Sequence, residues 1–440
     1  MTRPWTLRLL SIVFGLGILA LAEASLRWIG WFDDSPQDEI EWPDGMQPAY
    51  GLQSTQMFVE DNGQVEIHPS LIDSGFVQPR RFAVEPSAKR VFTFGGSATL
   101  GVPFEDLPAK TWPGKVQHLF GLMDVDSEVV NLGGASFGSA HVREFAAQSL
   151  AYKPDALLIY AGNNEFFNYG LELLANNQGL LKHQGYIEEL HVLRLLSTAL
   201  GGEMTQSVSI ANLKQQQDQR IAEIVGEILL REQEKIDVQT PKRQDRIMQE
   251  VQRRYVDNLH NVALLAADND IPVLIALLPI NLEDPPWLSL HTSKISLEQK
   301  NLWFRYAQAA RQAAAEQQWS EARALWSEAI QIDPLPAEGW YGMGTAKKAM
   351  QMPFEDDLLR ALQLDFHAGR PTPELIEALR RHKWPENVLL VDFTAPFSNQ
   401  PEKLFHDSCH LTEEGNRVVA EGFVDRMVAE LGWGFSTLSK

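Results

Sequence analysis

Much of what this chain can be is decided by what it lacks. It carries one cysteine, Cys409, in 440 residues, so no intramolecular disulfide can form and pairing says nothing about redox compartment. Positive charge is in the minority, with 38 Lys and Arg against 58 Asp and Glu, for a formal net charge of −20. An acidic surface of that size argues against a phosphate-backbone partner, which needs a basic footprint, so no nucleic acid is expected. G-x-G-x-x-G is absent, and no Gly-Lys-Ser/Thr follows the turn at Gly95-Gly96, which removes the dinucleotide and P-loop phosphate sites. The 11 histidines show no ligand spacing such as H-E-x-x-H, and neither a metal nor a cofactor is expected.

What is present is ordinary for a globular chain over most of its length. Hydrophobic content of 44% and charged content of 22% supply a sizeable core, and the length suggests two or three domain-sized units. The N-terminus differs. Arg3 and Arg8 precede an apolar run from Leu9 to Ala22, short for a membrane span and typical of a signal-peptide core. Ala20-Leu-Ala22 and Ala22-Glu-Ala24 have the form of cleavage sites. Apolar character nevertheless resumes at Leu26 to Phe32, with Trp28 and Trp31 placed as an interfacial belt. Residues 1–32 are therefore expected to be an uncleaved transmembrane anchor rather than a removed signal. No cysteine follows the run, which excludes a lipoprotein anchor. The basic flank before it and the acidic stretch after it (Asp33, Asp34, Asp38, Glu39) place the N-terminus in the cytoplasm and export the rest. Residues 33–89, rich in Pro, Gly and polar residues without sustained periodicity, read as a stalk and a lead-in segment on the edge of the main domain.

From residue 90 the pattern is α/β. Val91 to Phe94, Ser127 to Asn131, Asp155 to Tyr160, Ile271 to Leu278 and Asn387 to Asp392 are short β-prone runs. Helical patterns at Trp112 to Phe120 and His141 to Leu150 alternate with them, which indicates βαβ units and a parallel sheet. Thr412 is placed to cap a last helix, Glu413 and Glu414 suit its first turn, and Gly432 ends it. Two stretches interrupt the alternation. Residues 167–270 are polar and helix-prone. In 287–383, Ala310, Ala322, Trp326, Ala329 and Pro334 fall at the small, bulky and proline positions of a 34-residue helix–turn–helix repeat, and Trp340 and Gly344 restart it. This resembles one tetratricopeptide repeat and part of another. A plain helical hairpin is the simpler alternative, because a free-standing solenoid needs at least three repeats. Either way the segment is expected to be a helical insert and a candidate protein-binding face.

The polar residues that end the strands carry the chemistry. Ser97 follows the first strand and a Gly-Gly turn. Gly133-Gly-Ala-Ser136 follows the second strand, Asn164 the third, and Asp407 with His410 the fifth. In a parallel sheet such loops converge on one rim, where ligands bind. Acyl transfer requires such a set: a hydroxyl nucleophile, an imidazole base, an acid that fixes its tautomer, and pre-placed donors for the oxyanion. Taken alone, Ser97 is equally a capping serine at an ordinary strand-to-helix turn.

The order Ser97, glycine-rich turn, Gly162-Asn-Asn164, Asp407-x-x-His410 and terminal helix resembles the SGNH/GDSL hydrolase family. The resemblance covers the five strands and the last helix, together with the anchor–stalk layout of membrane-attached bacterial members with repeat-like inserts. It implies a flavodoxin-like three-layer α/β/α parallel sheet for residues 90–440, with helical insertions at 167–270 and 287–383. It also implies Ser97 as nucleophile, His410 as base and Asp407 as the orienting acid, with an oxyanion hole from the Ser97 amide, Ser136 and the Asn164 side chain. Three departures stand out. Gly-Asp-Ser is Gly95-Gly96-Ser97 here, Gly-x-Asn-Asp ends in Glu165, and Ser136 stands where a glycine is usual, with Gly133 and Gly134 as alternatives. Asp392 is the next candidate acid. His406 reads as a loop residue, and a Cys409–His410 dyad is disfavoured because adjacent side chains diverge. The implied function is an exported serine esterase that hydrolyses or transfers acyl groups, with O-acetyl groups of envelope or extracellular polysaccharide as the first substrates to test. The alternatives are an idle scaffold of this fold that binds protein through its repeat-like insert, and an O-acetyltransferase.

Overall fold

The computed structural model describes residues 56–73, 77–169, 244–287, 289–292, 295–365, 369–398 and 401–434. The expected anchor at 1–32, the first part of the stalk and residues 170–243 of the first insertion lie outside them. Among the described residues no helix is long and apolar enough to cross a membrane.

The lead-in segment contains a sheet that its sequence did not announce. Strands β1 (Phe58–Asp61), β2 (Gln64–Ile67) and β3 (Arg81–Ala83) pair antiparallel in that order. The strands are too short for alternation to show, but Asn62-Gly63 was a legible signal. Both residues have positive φ, 49° and 76°, as the two-residue hairpin turn that suits twisted strands demands. Phe58 and Phe82 lie against Tyr152, with ring centroids 5.3 and 5.4 Å away, and this aromatic contact ties the small sheet to the rest.

Strands β4 (Lys89–Gly95), β5 (Ser127–Asn131), β6 (Ala156–Tyr160), β7 (Val273–Leu277) and β8 (Val388–Asp392) form a five-stranded sheet in the order β5-β4-β6-β7-β8. Every neighbouring pair is parallel. This is a doubly wound order whose direction of winding reverses between β4 and β6, and ligand crevices form at such a switch point. The runs Val91 to Phe94, Ala156 to Ile159 and Val273 to Ile275 are buried on both faces, which is why they read as continuous rather than alternating. Each large apolar side chain so buried contributes about 1.5–3 kcal/mol relative to exposure.

Ten of the helices among the described residues, in chain order, are α1 (Ser97–Leu100), α2 (Trp112–Leu122), α3 (Ser139–Ser149), α4 (Gln244–Ala267), α5 (Leu297–Ala315), α6 (Trp319–Ile332), α7 (Ala337–Ala349), α8 (Glu355–Leu364), α9 (Pro373–Arg381) and α10 (Glu413–Leu431). Helices α2 and α10 pack together, with the Trp112 and Phe423 rings stacked at 5.0 Å. Helices α3, α4 and α9 form a second group, in which α4 packs on both of the others. Tyr255, Leu259 and Val262 of α4 and Leu375, Ile376 and Leu379 of α9 belong to the main core. The helices that close the two insertions therefore cover the sheet.

Helices α5 to α8 are built differently. Each packs on the next, and they keep small cores of their own: Trp303, Ala307, Ala310, Trp326, Ala329 and Met343 in one, Ala313, Ala322 and Ala346 in the other. Alanine at those positions lets helix axes approach. Trp326 fills the space that Gly342 leaves, and Pro334 is exposed, its carbonyl accepting a bond from Trp340 Nε1 at 2.8 Å.

Candidate active site

Ser97 opens α1 at the carboxyl end of β4. The two glycines before it are required by space. A Cβ on Gly95 would lie 2.0 Å from the Tyr160 carbonyl oxygen, and one on Gly96 would lie 2.7 Å from Asn164 Nδ2. Without those methyls the turn presses against the end of β6, and the Asn164 carboxamide lies beside the residue that precedes Ser97. Thr99 Oγ1 donates to the Tyr160 carbonyl at 3.1 Å. Asn131 Nδ2 donates to the Thr99 carbonyl at 2.8 Å, so the ends of β5 and β6 both hold α1 in place.

The loop before α10 brings His410 to Ser97 across 313 residues of sequence. His410 Nε2 lies 2.7 Å from Ser97 Oγ, and His410 Nδ1 lies 2.6 Å from Asp407 Oδ2. A carboxylate only accepts, so Nδ1 carries the proton and Nε2 is left as the acceptor for the serine hydroxyl. The loop also occupies the other carboxylate oxygen: Oδ1 accepts the backbone N–H of Cys409 at 3.0 Å and of His410 at 2.8 Å. Burial alone would raise the Asp407 pKa. The bond and charge of His410, with the two backbone N–H groups, outweigh it and hold the carboxyl down at about 2. Asp407 is thus a standing anion that orients the imidazole and can stabilise its protonated form.

The second and third loops meet behind the serine. Ser136 adopts φ 59°, a left-handed conformation that favours glycine. Asn168 Nδ2 donates to the Ser136 carbonyl at 3.2 Å, and Asn164 Nδ2 donates to the Phe137 carbonyl at 3.0 Å. The candidate amides are not equivalent. The Gly133 N–H is taken by Asn131 Oδ1 at 2.9 Å and the Gly134 N–H by the Gly95 carbonyl at 3.1 Å. The Ser136 N–H has no acceptor among the described residues.

Several supporting residues were not found from sequence. Glu165 is 8% exposed and binds Ser139 with both oxygens, accepting its N–H at 2.8 Å and its hydroxyl at 2.7 Å. Asn258 Nδ2 of α4 donates to the same Ser139 hydroxyl at 3.0 Å. Glu165 therefore pins the start of α3 to the loop after β6. Its departure from the family pattern was the one available signal.

The remaining candidates separate clearly. Asp392 is engaged elsewhere, with Arg380 at 2.9 Å and with the Thr394 hydroxyl and N–H. His406 is exposed beside Phe104, their ring centroids 5.6 Å apart. Cys409 is buried, and burial pushes its thiol well up, so it is not a thiolate nucleophile. Ligand atoms of Asp407, Cys409 and His410 lie within 4.8 Å of one another. Both imidazole nitrogens are already engaged, by Ser97 and by Asp407, so the set is arranged as a proton relay.

No family model and no curated protein matches this chain. A solved structure described as a GDSL-like lipase from Bacteroides thetaiotaomicron aligns over 78% of this chain and 89% of that one, at 11% identity and a TM-score of 0.28. A likeness at that level decides neither fold nor chemistry, which rest here on the sheet order and the site distances.

Proposed function

We propose that this chain is a serine esterase or acyltransferase of the SGNH/GDSL type, working through a Ser97 acyl-enzyme. The observation that carries the reading is the Ser97–His410–Asp407 relay, with hydrogen bonds of 2.7 and 2.6 Å, at the rim of a parallel sheet. In the reaction, Ser97 Oγ attacks the ester carbonyl as its proton passes to His410 Nε2. The ester C–O bond then breaks, and His410 returns that proton to the leaving alkoxide. Water, or a second alcohol in a transferase, attacks the acyl-serine in the same way and frees Ser97. The amides of Ser97 and Ser136 and the Asn164 carboxamide supply the oxyanion donors, Ser136 being preferred because the Gly133 and Gly134 amides are committed.

The biological setting is proposed from the sequence. The basic flank and apolar run of residues 1–32 support a membrane-anchored, exported enzyme, for which O-acetyl groups on envelope or extracellular polysaccharide are the first substrates to try. Helices α5 to α8, with their own cores, support a tetratricopeptide-like partner surface. The test of the enzymatic reading is turnover of p-nitrophenyl acetate, which Ser97→Ala is to abolish without loss of fold. Equal turnover by the two proteins would refute it.

A further inference from the structure

Two arginines among the described residues are buried, and they are treated very differently. Arg90, fully buried at the start of β4, has every arm satisfied. Its Nε donates to Glu128 at 2.9 Å, one terminal nitrogen to the Tyr152 carbonyl at 2.8 Å, and the other to the Ala83 carbonyl at 2.7 Å. Arg370, in the segment between α8 and α9, is 3% exposed. It donates to the Asn281 carbonyl at 2.5 Å and at 3.4 Å to that of Pro285, while its Nε has no partner. Burial pulls its pKa down, opposed by the charges of Asp365 and Asp284. A buried guanidinium with an unmet donor is a costly way to hold a fold together.

What Arg370 grips leads to the catalytic loop. Asn281, 7% exposed, lies in the loop that leaves the carboxyl end of β7. Its Nδ2 donates to the Asp407 carbonyl at 2.8 Å, and its Oδ1 accepts the Glu283 N–H at 3.0 Å, a pair of bonds that fixes the amide orientation. The Asp407 peptide is thus held from outside its own loop by a residue whose backbone is held in turn by Arg370. We propose that Asn281 and Arg370 are positioning residues for the reaction: Arg370 sets the Asn281 backbone, and the Asn281 amide sets the Asp407 peptide so that the carboxylate meets His410. The inference rests on the esterase reading of Ser97. It gives the second insertion a mechanical part in the site, because Arg370 lies within it.

The test uses the full-length chain, a fluorophosphonate as probe of the serine and p-nitrophenyl acetate as substrate. Asn281→Asp keeps the shape and loses the donor. Arg370→Met keeps much of the volume and loses the charge and both bonds. Each is expected to slow labelling about 10- to 100-fold, the scale of a displaced catalytic group, and to lower kcat with KM unchanged. Arg370→Met is expected to melt lower than wild type, because the Asn281 carbonyl loses its donor and Asp365 and Asp284 lose the facing charge. Labelling is therefore read on protein shown by circular dichroism to be folded. Arg370→Lys, which keeps one donor, is to recover part of the rate. A folded Asn281→Asp or Arg370→Met protein that labels at the wild-type rate would overturn the inference. So would loss of folding in both, because the pair would then be holding the fold. If wild type itself does not label, the esterase reading fails first, and the two failures are distinguished.

Discussion

The two sides of the site are built by different rules. On the base side, Asp407 and His410 lie three residues apart, and one short loop satisfies both carboxylate oxygens. On the oxyanion side, Asn164 reaches Phe137 over 27 residues, Glu165 reaches Ser139 over 26, and Asn168 reaches Ser136 over 32. The first is a local hydrogen-bonded unit, propped from outside its loop by the Asn281 amide. The second exists only once β4, β5 and β6 have paired and their loops meet. A local unit concentrates its function in two side chains, whereas an assembled one spreads it over backbone groups and their props. Substitutions on the base side should therefore cost more activity than those opposite.

The largest effect is expected at Asp407. Asp407→Asn keeps the geometry but can hold the imidazole in the wrong tautomer, and in the well-studied Ser-His-Asp case such a change costs on the order of 10⁴ in kcat. Steady-state kinetics on the variant check this, and an unchanged kcat/KM would remove Asp407 from the relay. The same carboxyl sets a pH window. Its folded pKa of about 2 lies below the ordinary carboxylate value of about 3.9, so its contribution to stability is fully present above about pH 4 and is lost as pH falls through 2. Urea melts at several pH values should show wild type and Asp407→Asn differing by a constant amount above pH 4 and converging below it. Over that higher range Asp407 stays ionised, so any acid limb in kcat/KM should vanish in His410→Ala.

A smaller loss is expected at Asn164. Removing one oxyanion donor typically costs about 10²–10³ in kcat, and Asn164→Ala should fall there with KM little changed, while the backbone donors remain. A loss as great as that of Asp407→Asn would erase the contrast between the two sides. The smallest effect is expected at Ser136. Its proposed donor is the backbone N–H, which Ser136→Gly keeps. Relief of the left-handed conformation, about 1 kcal/mol, is offset by the greater freedom of glycine in the unfolded chain, so melts should shift little. Activity that collapses in a folded Ser136→Gly protein would mean that the hydroxyl takes part.

This division also explains what could be read from the sequence. The central strands β4, β6 and β7 were legible because burial on both faces leaves continuous apolar runs such as Ala156 to Ile159, and the half-buried edge strands β5 and β8 because Val and Leu there are β-prone. Ser97, Asp407 and His410 were legible as polar residues at strand ends, which the structure brings within hydrogen-bond distance of one another, and Thr412 and Gly432 cap α10 as their types demand. The choice among Ser136, Gly133 and Gly134 stayed open in the sequence, since a backbone N–H carries no residue signature and its availability depends on which neighbouring amides are already committed. Glu165, Asn168, Asn281 and Arg370 act through partners far along the chain. The strands flanking Asn62-Gly63, three and four residues long, are too short to show a period, and the turn itself was the one signal of that sheet.

The central claim is that Ser97 is activated by His410 as a nucleophile, and covalent labelling tests it most directly. The full-length chain treated with a fluorophosphonate and digested should carry one adduct, on the peptide that contains Ser97, and Ser97→Ala should carry none. An adduct on a different residue, or a folded wild-type chain that stays unlabelled, would contradict the account.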